Sequence, residues 1–183
     1  MKLATIITAI RSRCPTLSRR VYGLAEYDAA DETVDTPLPA VFVLPDADKV
    51  NEPRGTQKYR QAVDFNFLVV IRVNPGADEQ GGESFDRAMD IRTLIFRAIL
   101  GWEPYGKDGE WIVYDGLQVS RMNRGRLDVI LSFRLAEELT DDDSRHGEEI
   151  DALDEFLRVH GDVDLAPPDG AIDAWFDINV REV

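Results

Sequence analysis

Between residues 57 and 75 the chain reads QKYRQAVDFNFLVVIRVNP. Its odd positions, Tyr59, Gln61, Val63, Phe65, Phe67, Val69, Ile71 and Val73, are almost wholly apolar. The even positions from Arg60 to Arg72 are largely polar, with Leu68 and Val70 as the exceptions. A period of two marks a β-strand with one buried face. Residues 59–73 therefore predict one continuous strand of about 15 residues, where about 5–6 is ordinary. At roughly 3.3 Å per residue it would run on the order of 50 Å. A chain of 183 residues packs into a globule only about 30–40 Å across. The strand is longer than the body one chain builds, yet every buried N–H and C=O along it needs a partner.

The segments around it supply helices and further strands. Leu3, Ile6, Ile7 and Ile10 recur at helical spacing and predict a short amphipathic helix that stops at Cys14-Pro15. RRVYGLAEY, residues 19–27, reads as a strand, followed by an acidic loop of small residues. AVFVL, residues 40–44, lies between two prolines and reads as a short buried strand, and 45–56 as a polar loop. After the long strand, Ser84 is the predicted N-cap of a helix whose apolar face is Phe85, Met89, Ile91, Leu94, Ile95, Ala98 and Ile99, with Gly101 as its stop. Residues 111–122 and 126–136 predict a hairpin turning at Asn123-Arg124-Gly125. The pattern is α+β: a mostly antiparallel sheet with a very long strand and helices packed on one face.

Charge divides the chain in two. Residues 1–140 carry 21 acidic and 18 basic side chains, a net of −3, while residues 141–183 carry 14 and 3, a net of −11. The expected organisation is an α+β domain over 1–140 and an acidic C-terminal extension over 141–183. In the extension, Ile150, Leu153, Phe156 and Leu157 predict a short helix, and AIDAWFDINVREV a terminal strand or arm. A tail of this charge repels nucleic acid, whose non-specific binding depends on phosphate neutralisation. No apolar run approaches the ~20 residues of a membrane span. The basic, briefly apolar N-terminus runs at once into Arg11 and Arg13, which argues against a signal peptide.

Chemistry-bearing patterns are sparse. Gly81-Gly82 lacks the Lys-Ser/Thr of a phosphate loop, and His146 and His160 stand alone. Cys14, the single cysteine, excludes an internal disulfide and reads as structural. Asp141, Asp142, Asp143, Glu148 and Glu149 are oxygen-rich but lack Ca²⁺-loop spacing, so a solvated linker is the favoured reading. No catalytic residue, metal ligand or cofactor is expected. Basic residues flank the long strand (Arg54, Lys58, Arg60) and the hairpin (Arg121, Arg124, Arg126) without interleaved aromatics, which favours protein contacts over nucleic acid. Phe156 and Trp175 are the apolar anchors expected in the extension.

Taken in order, the N-terminal helix, PAVFVLP, the long strand YRQAVDFNFLVVIRV, the helix FDRAMDIRTLIFRAIL and the hairpin WIVYDGLQVSRMNRGRLDVILSFRLAEE resemble the tail terminator (tail-completion, minor tail) proteins of long-tailed bacteriophages. The resemblance covers about residues 1–140. It implies a structural protein without an active site: a homo-hexameric ring at the head-proximal end of the tail tube. Such a ring stops tube polymerisation and meets the head-connector (neck) proteins. It also implies a virion location after assembly in the host cytoplasm, with genomic DNA passing through an acidic lumen without specific binding. In that setting the long strand projects, and neighbouring copies satisfy its backbone. Two alternatives stay open: another neck ring, such as a head-closure or tail-joining protein, and, more remotely, a carboxylate-dependent metal enzyme such as a nuclease.

The register of the long strand is testable. Val69→Asp places a carboxylate on the predicted apolar face, which costs several kcal/mol of stability. Chemical denaturation of the variant should show that loss, and unchanged solubility and stability would put Val69 on the wrong face.

Overall fold

The long strand finds its partner inside the chain. In the computed structural model β4, Gln61–Val73, pairs antiparallel with β6, Leu127–Leu139, through 13 consecutive residues from Gln61↔Leu139 to Val73↔Leu127. Both strands are 13 residues long, so neither outruns the other. The expectation that neighbouring copies complete the strand's backbone is corrected: β6 satisfies one side of β4 along its whole length. The opposite side is shared by β2, Ala40–Pro45, over Phe67–Arg72 and by β3, Lys49–Val50, over Val63–Asp64. An isolated bridge, Arg54↔Arg60, extends the β3 side. β1, Val21–Tyr22, runs parallel to β2, and β5, Ile112–Met122, pairs with the other side of β6. The sheet order is β1-β2-β4-β6-β5, with β3 beside β4.

The structure describes all residues except 1, 18, 33–35, 55–57, 75–81, 107–109, 123–125, 152–157, 164–173 and 180–183. The chain divides into two compact units, Met1–Thr140 and Asp141–Val183.

Alternation along the paired strands builds two cores. The odd face of β4 and its partners carries Val41, Val43, Phe67, Val69, Ile71, Val129, Leu131 and Phe133, all essentially without solvent contact. Two helices cover that face: α1, Leu3–Arg13, through Ile6 and Ile10, and α3, Gly82–Ile99, through Ala88, Ile91, Ile95, Ala98 and Ile99. Each fully buried aliphatic side chain there contributes about 1.5–3 kcal/mol. Phe67 and Phe133 stack as a cross-strand pair with centroids 5.3 Å apart, and Phe96 and Tyr114 close the cluster. α1 ends where Pro15 restricts Cys14, whose N–H still donates to the Ile10 carbonyl. α3 starts two residues before the expected N-cap. Ser84 lies in its first turn, buried one turn from Ala88, so packing carries the helix past the capping signal.

The even face is less polar than alternation suggested. Phe42, Val70 and Ile130 are cross-strand neighbours on it, and with Ala40, Leu44 and Leu68 they form a second core. It is closed by α2, Leu24–Glu32, through Tyr27 and Ala30. The sequence reading of a strand over 19–27 and a loop beyond it is corrected: only Val21 and Tyr22 are extended, and Leu24–Glu32 wind into α2. Leu68 and Val70, exceptions to the pattern, are the residues that α2 exists to cover.

Beneath α2 lies a buried ion pair. Arg72 and Asp128 are cross-strand partners, 3% and 2% exposed. The guanidinium donates Nε–H to Oδ1 at 2.8 Å and Nη2–H to Oδ2 at 3.0 Å, while Nη1 donates to the Ala30 carbonyl of α2 at 3.2 Å. It also sits 5.2 Å from the Tyr27 ring centroid and 5.1 Å from that of Phe42. One side chain thus ties sheet, helix and second core together.

In the second unit a 3₁₀ turn, Asp141–Asp143, leads to α4, Arg145–Asp151, and then a hairpin of β7, Arg158–Val163, with β8, Ala174–Asn179. β8 lies within AIDAWFDINVREV, and β7 occupies residues to which sequence reading assigned no element. The expected helix through Leu153, Phe156 and Leu157 lies mostly outside the described residues. Gly147 approaches the Asp141 backbone so closely that a Cβ there would overlap the carbonyl oxygen.

Two stability outcomes follow. Asp128→Ala strands a buried guanidinium and should cost about 3–5 kcal/mol in urea unfolding, while the double variant R72M/D128L, apolar on both sides, should lie much closer to wild type. A loss under about 1 kcal/mol for Asp128→Ala would mean the pair contributes little. Gly147→Ala should destabilise the second unit by about 1–3 kcal/mol through overpacking. Limited proteolysis should register this as faster cleavage beyond Thr140 with the first unit still protected.

Candidate assembly surfaces

The ladder between β4 and β6 also decides where the charged candidates lie. Arg54 and Arg60 bridge to each other at the Gln61 end of β4, and Lys58 lies between them; all three are exposed. Arg121 is placed by its backbone opposite Asp128, at the Val73 end. Arg126 is half-buried there, its Nε 3.6 Å from the Asp128 carboxylate. The two basic groups are thus separated by the length of the ladder, on the order of 40 Å at roughly 3.3 Å per residue. They do not form one site, and Arg126 belongs to the buried pair rather than to a solvated tip. Arg124 and Phe156 lie outside the described residues. Trp175, on β8, is 69% exposed.

The polar half of the even face is internally balanced. Arg134 donates to Asp115 at 3.0 Å and lies 3.7 Å from Asp64, so β4, β6 and β5 share one exposed charge network. Exposed large apolar side chains include Val50 at 64%, Trp111 at 49% and Val119 at 50%. Trp102 packs against the first core. β5, an edge strand, carries two register irregularities, at Tyr114/Gly116 and Val119/Arg121. Bulges of this kind twist an edge away from strand addition.

The features weighed for chemistry have structural roles. Cys14 is buried, with Sγ 3.5 Å from the Leu94 carbonyl, and burial pushes its thiol pKa up, away from the reactive thiolate. A groove of about 280 Å³ between α2 and the sheet is lined by Tyr22, Ala30, Pro37 and Phe42, with Glu26 as its carboxylate. That carboxylate accepts the Gly23 N–H at 3.2 Å and caps the start of α2. Asp141–Asp143 form a 3₁₀ turn whose Asp141 carbonyl accepts from the Ser144 hydroxyl, and Glu149 pairs with Arg145 at 2.8 Å. Among the described residues no group of three or more His, Cys, Asp or Glu is arranged to hold a metal ion. Among them, too, no helix is long and apolar enough to cross a membrane.

Sequence reading missed that Glu137 and Glu138 belong to the sheet. The signal available was length: the alternation of the second hairpin strand continues to Leu139, past its expected end at residue 136, and carries the glutamates onto the sheet.

Comparison with known proteins covers this same body. The family model described as "Phage tail terminator protein" matches residues 1–143. Among solved structures the chain is similar to one from the "Virion of native gene transfer agent (GTA) particle", at 14% identity and a TM-score of 0.47, over 74% of this chain and 93% of that one. No curated protein matches the sequence. The family match takes in every element from α1 to β6 and both cores between them, so the chain belongs to the phage tail terminator protein family and is a structural protein of the virion tail.

Proposed function

We propose that this chain closes the tail tube: six copies form a ring at its head-proximal end, stop its polymerisation and present the surface that the neck proteins of the head connector meet. The observation that carries this reading is the family match over residues 1–143, which coincides with a complete α+β body. The role is architectural and calls for binding surfaces, not an active site or cofactor. Partners are other copies of the chain, the tail tube protein and the neck proteins. The complex assembles in the host cytoplasm and stays in the virion, with no membrane involved. DNA passes through the ring unheld, since a chain of net charge −14 repels phosphate.

Within this reading residues 1–140 are the ring-forming domain. The acidic extension 141–183 enlarges the contact with a neighbouring copy or with the connector. Trp175, exposed on its strand, and Phe156 are its anchors. Arg54, Lys58 and Arg60 at one end of the sheet and Arg121 at the other serve such contacts, joined by Arg124 on its place in the sequence, while Arg126 stays with the buried pair.

Negative-stain imaging of tail tube protein polymerised with and without this protein tests the proposal. Rings on one end of tubes of limited length are expected; tubes that grow unchecked and uncapped, or binding to connector proteins alone, would shift the chain to another neck ring. Truncation after Thr140 should leave a folded body that oligomerises or caps more weakly, and a truncated chain that caps as well as the full one would make the extension passive.

A further inference from the structure

Residues 11–20, RSRCPTLSRR, hold four arginines and no acid. α1 ends on Arg11 and Arg13, and the turn leading to β1 carries Arg19 and Arg20. Backbone carbonyls fix two of them: Arg11 donates Nε–H to the Val21 carbonyl at 2.9 Å, and Arg20 donates to the Thr16 and Leu38 carbonyls at 2.8 and 3.3 Å. Arg13 and Arg19 are exposed. Among the described residues no carboxylate pairs with any of the four. Glu26, the next acid along the chain, accepts the Gly23 N–H. Arginines in the last turn of α1 favour its dipole, but Arg19 and Arg20 lie beyond the helix, so a local concentration of positive charge remains.

The patch and the acidic extension belong to opposite ends of the sheet. The Val41 N–H donates to the Arg20 carbonyl, and the adjacent Ala40 pairs with Arg72, which places the patch at the Val73 end. The extension leaves from the Gln61 end, where Leu139 pairs with Gln61. From Leu139 to Asp128, the partner of Arg72, the ladder runs on the order of 35 Å at roughly 3.3 Å per residue. Residues 141–151 carry six acids and one arginine, Arg145, which is paired with Glu149. Two residues of chain reach at most about 7 Å, so covalent continuity holds Asp142 near Thr140. The close approach of Gly147 to the Asp141 backbone keeps Glu148 with it. Asp142 and Glu148 are exposed, and their tether is too short to bring them to the arginines of their own chain.

We infer that the arginine patch of one copy, through Arg13 and Arg19, receives the acidic turn of the next copy, through Asp142 and Glu148. The inference rests on the ring proposed above and names one of its inter-subunit contacts. A head-to-tail contact of this kind, repeated, closes a ring. The guanidinium fork matches a carboxylate in geometry as well as charge, and the pairing orients the two copies more than it supplies affinity. Phosphate is the other anion that suits arginine, but a chain of net charge −14 repels a nucleic acid before the patch can meet it.

A charge swap on the full-length chain tests it. Arg13 and Arg19 are changed because Arg11 and Arg20 hold backbone carbonyls. R13E/R19E and D142K/E148K should each associate at least about ten-fold more weakly than wild type in sedimentation, with unchanged circular dichroism. Mixed in equal amounts they should co-assemble, since the acidic turn of the first variant meets the basic patch of the second, and the basic turn of the second the acidic patch of the first. If both variants assemble like wild type, the ring stands and this contact is wrong. If both lose assembly and mixing restores nothing, patch and turn are not each other's partners. If R13E/R19E still forms rings but no longer caps tubes, the patch faces the tail tube protein and the inference fails. It fails equally if wild type retards duplex DNA at physiological salt and R13E/R19E does not. Wild type that forms no ring, alone or on tubes, would instead overturn the proposed function, and this contact with it.

Discussion

The thirteen-residue ladder between Gln61–Val73 and Leu127–Leu139 is the constraint on which the rest of the first unit depends. It joins segments more than fifty residues apart in sequence, so its loop-closure cost is met only when both faces are buried together. On the odd face α1 and α3 supply that burial, and on the even face α2 does. Because side chains alternate with a period of two, a one-residue slip would send Phe67, Val69 and Ile71 to the face of Asn66 and Asp64. The Arg72–Asp128 pair sharpens the same specification. Any slip separates the two partners and leaves a guanidinium beneath α2 without its carboxylate, a far larger penalty than the pair's net contribution when formed.

A ladder this long leaves the ends of the sheet unlike each other. At the Val73 end, helix, second core and ion pair bury the strands on both faces. At the Gln61 end the burial of β4 and β6 thins out, and the strands continue as a narrow, charged extension bounded by the β3 arm. The ladder with β4 holds one side of β6 through Leu139, whereas β5 accompanies its other side only as far as Leu135. The two bulged positions of β5 keep a long edge from pairing indiscriminately.

The absence of concentrated chemistry in the sequence has a counterpart in how its reactive groups are used. Glu26 caps a helix, Asp128 neutralises an arginine, Arg134 links three strands, and Cys14 fills space behind α3. Each of these groups is committed to holding the fold. The same body of this tail terminator family member exposes charge at the Gln61 end of its sheet and large apolar side chains at Val50 and Trp111.

The sequence by itself determined the long strand, the faces of α1 and α3, the hairpin strands and the change of character at residue 141, because each is a local periodicity or composition that survives whatever the chain packs against. It did not determine α2, whose residues are small and acidic with a weak apolar stripe; they become helical because Tyr27 and Ala30 find Phe42 and Val70 to cover. Nor did it show that Arg72 is buried, since a polar residue on an alternating strand reads as solvent-facing until the register sets Asp128 opposite it. The surface charges divide along the same line. Arg54, Lys58 and Arg60 stand out as a basic run in the sequence, but that they lie a full ladder's length from Arg121 was decided only by the tertiary structure. Charge is written residue by residue, whereas which charges share an edge depends on non-local strand pairing.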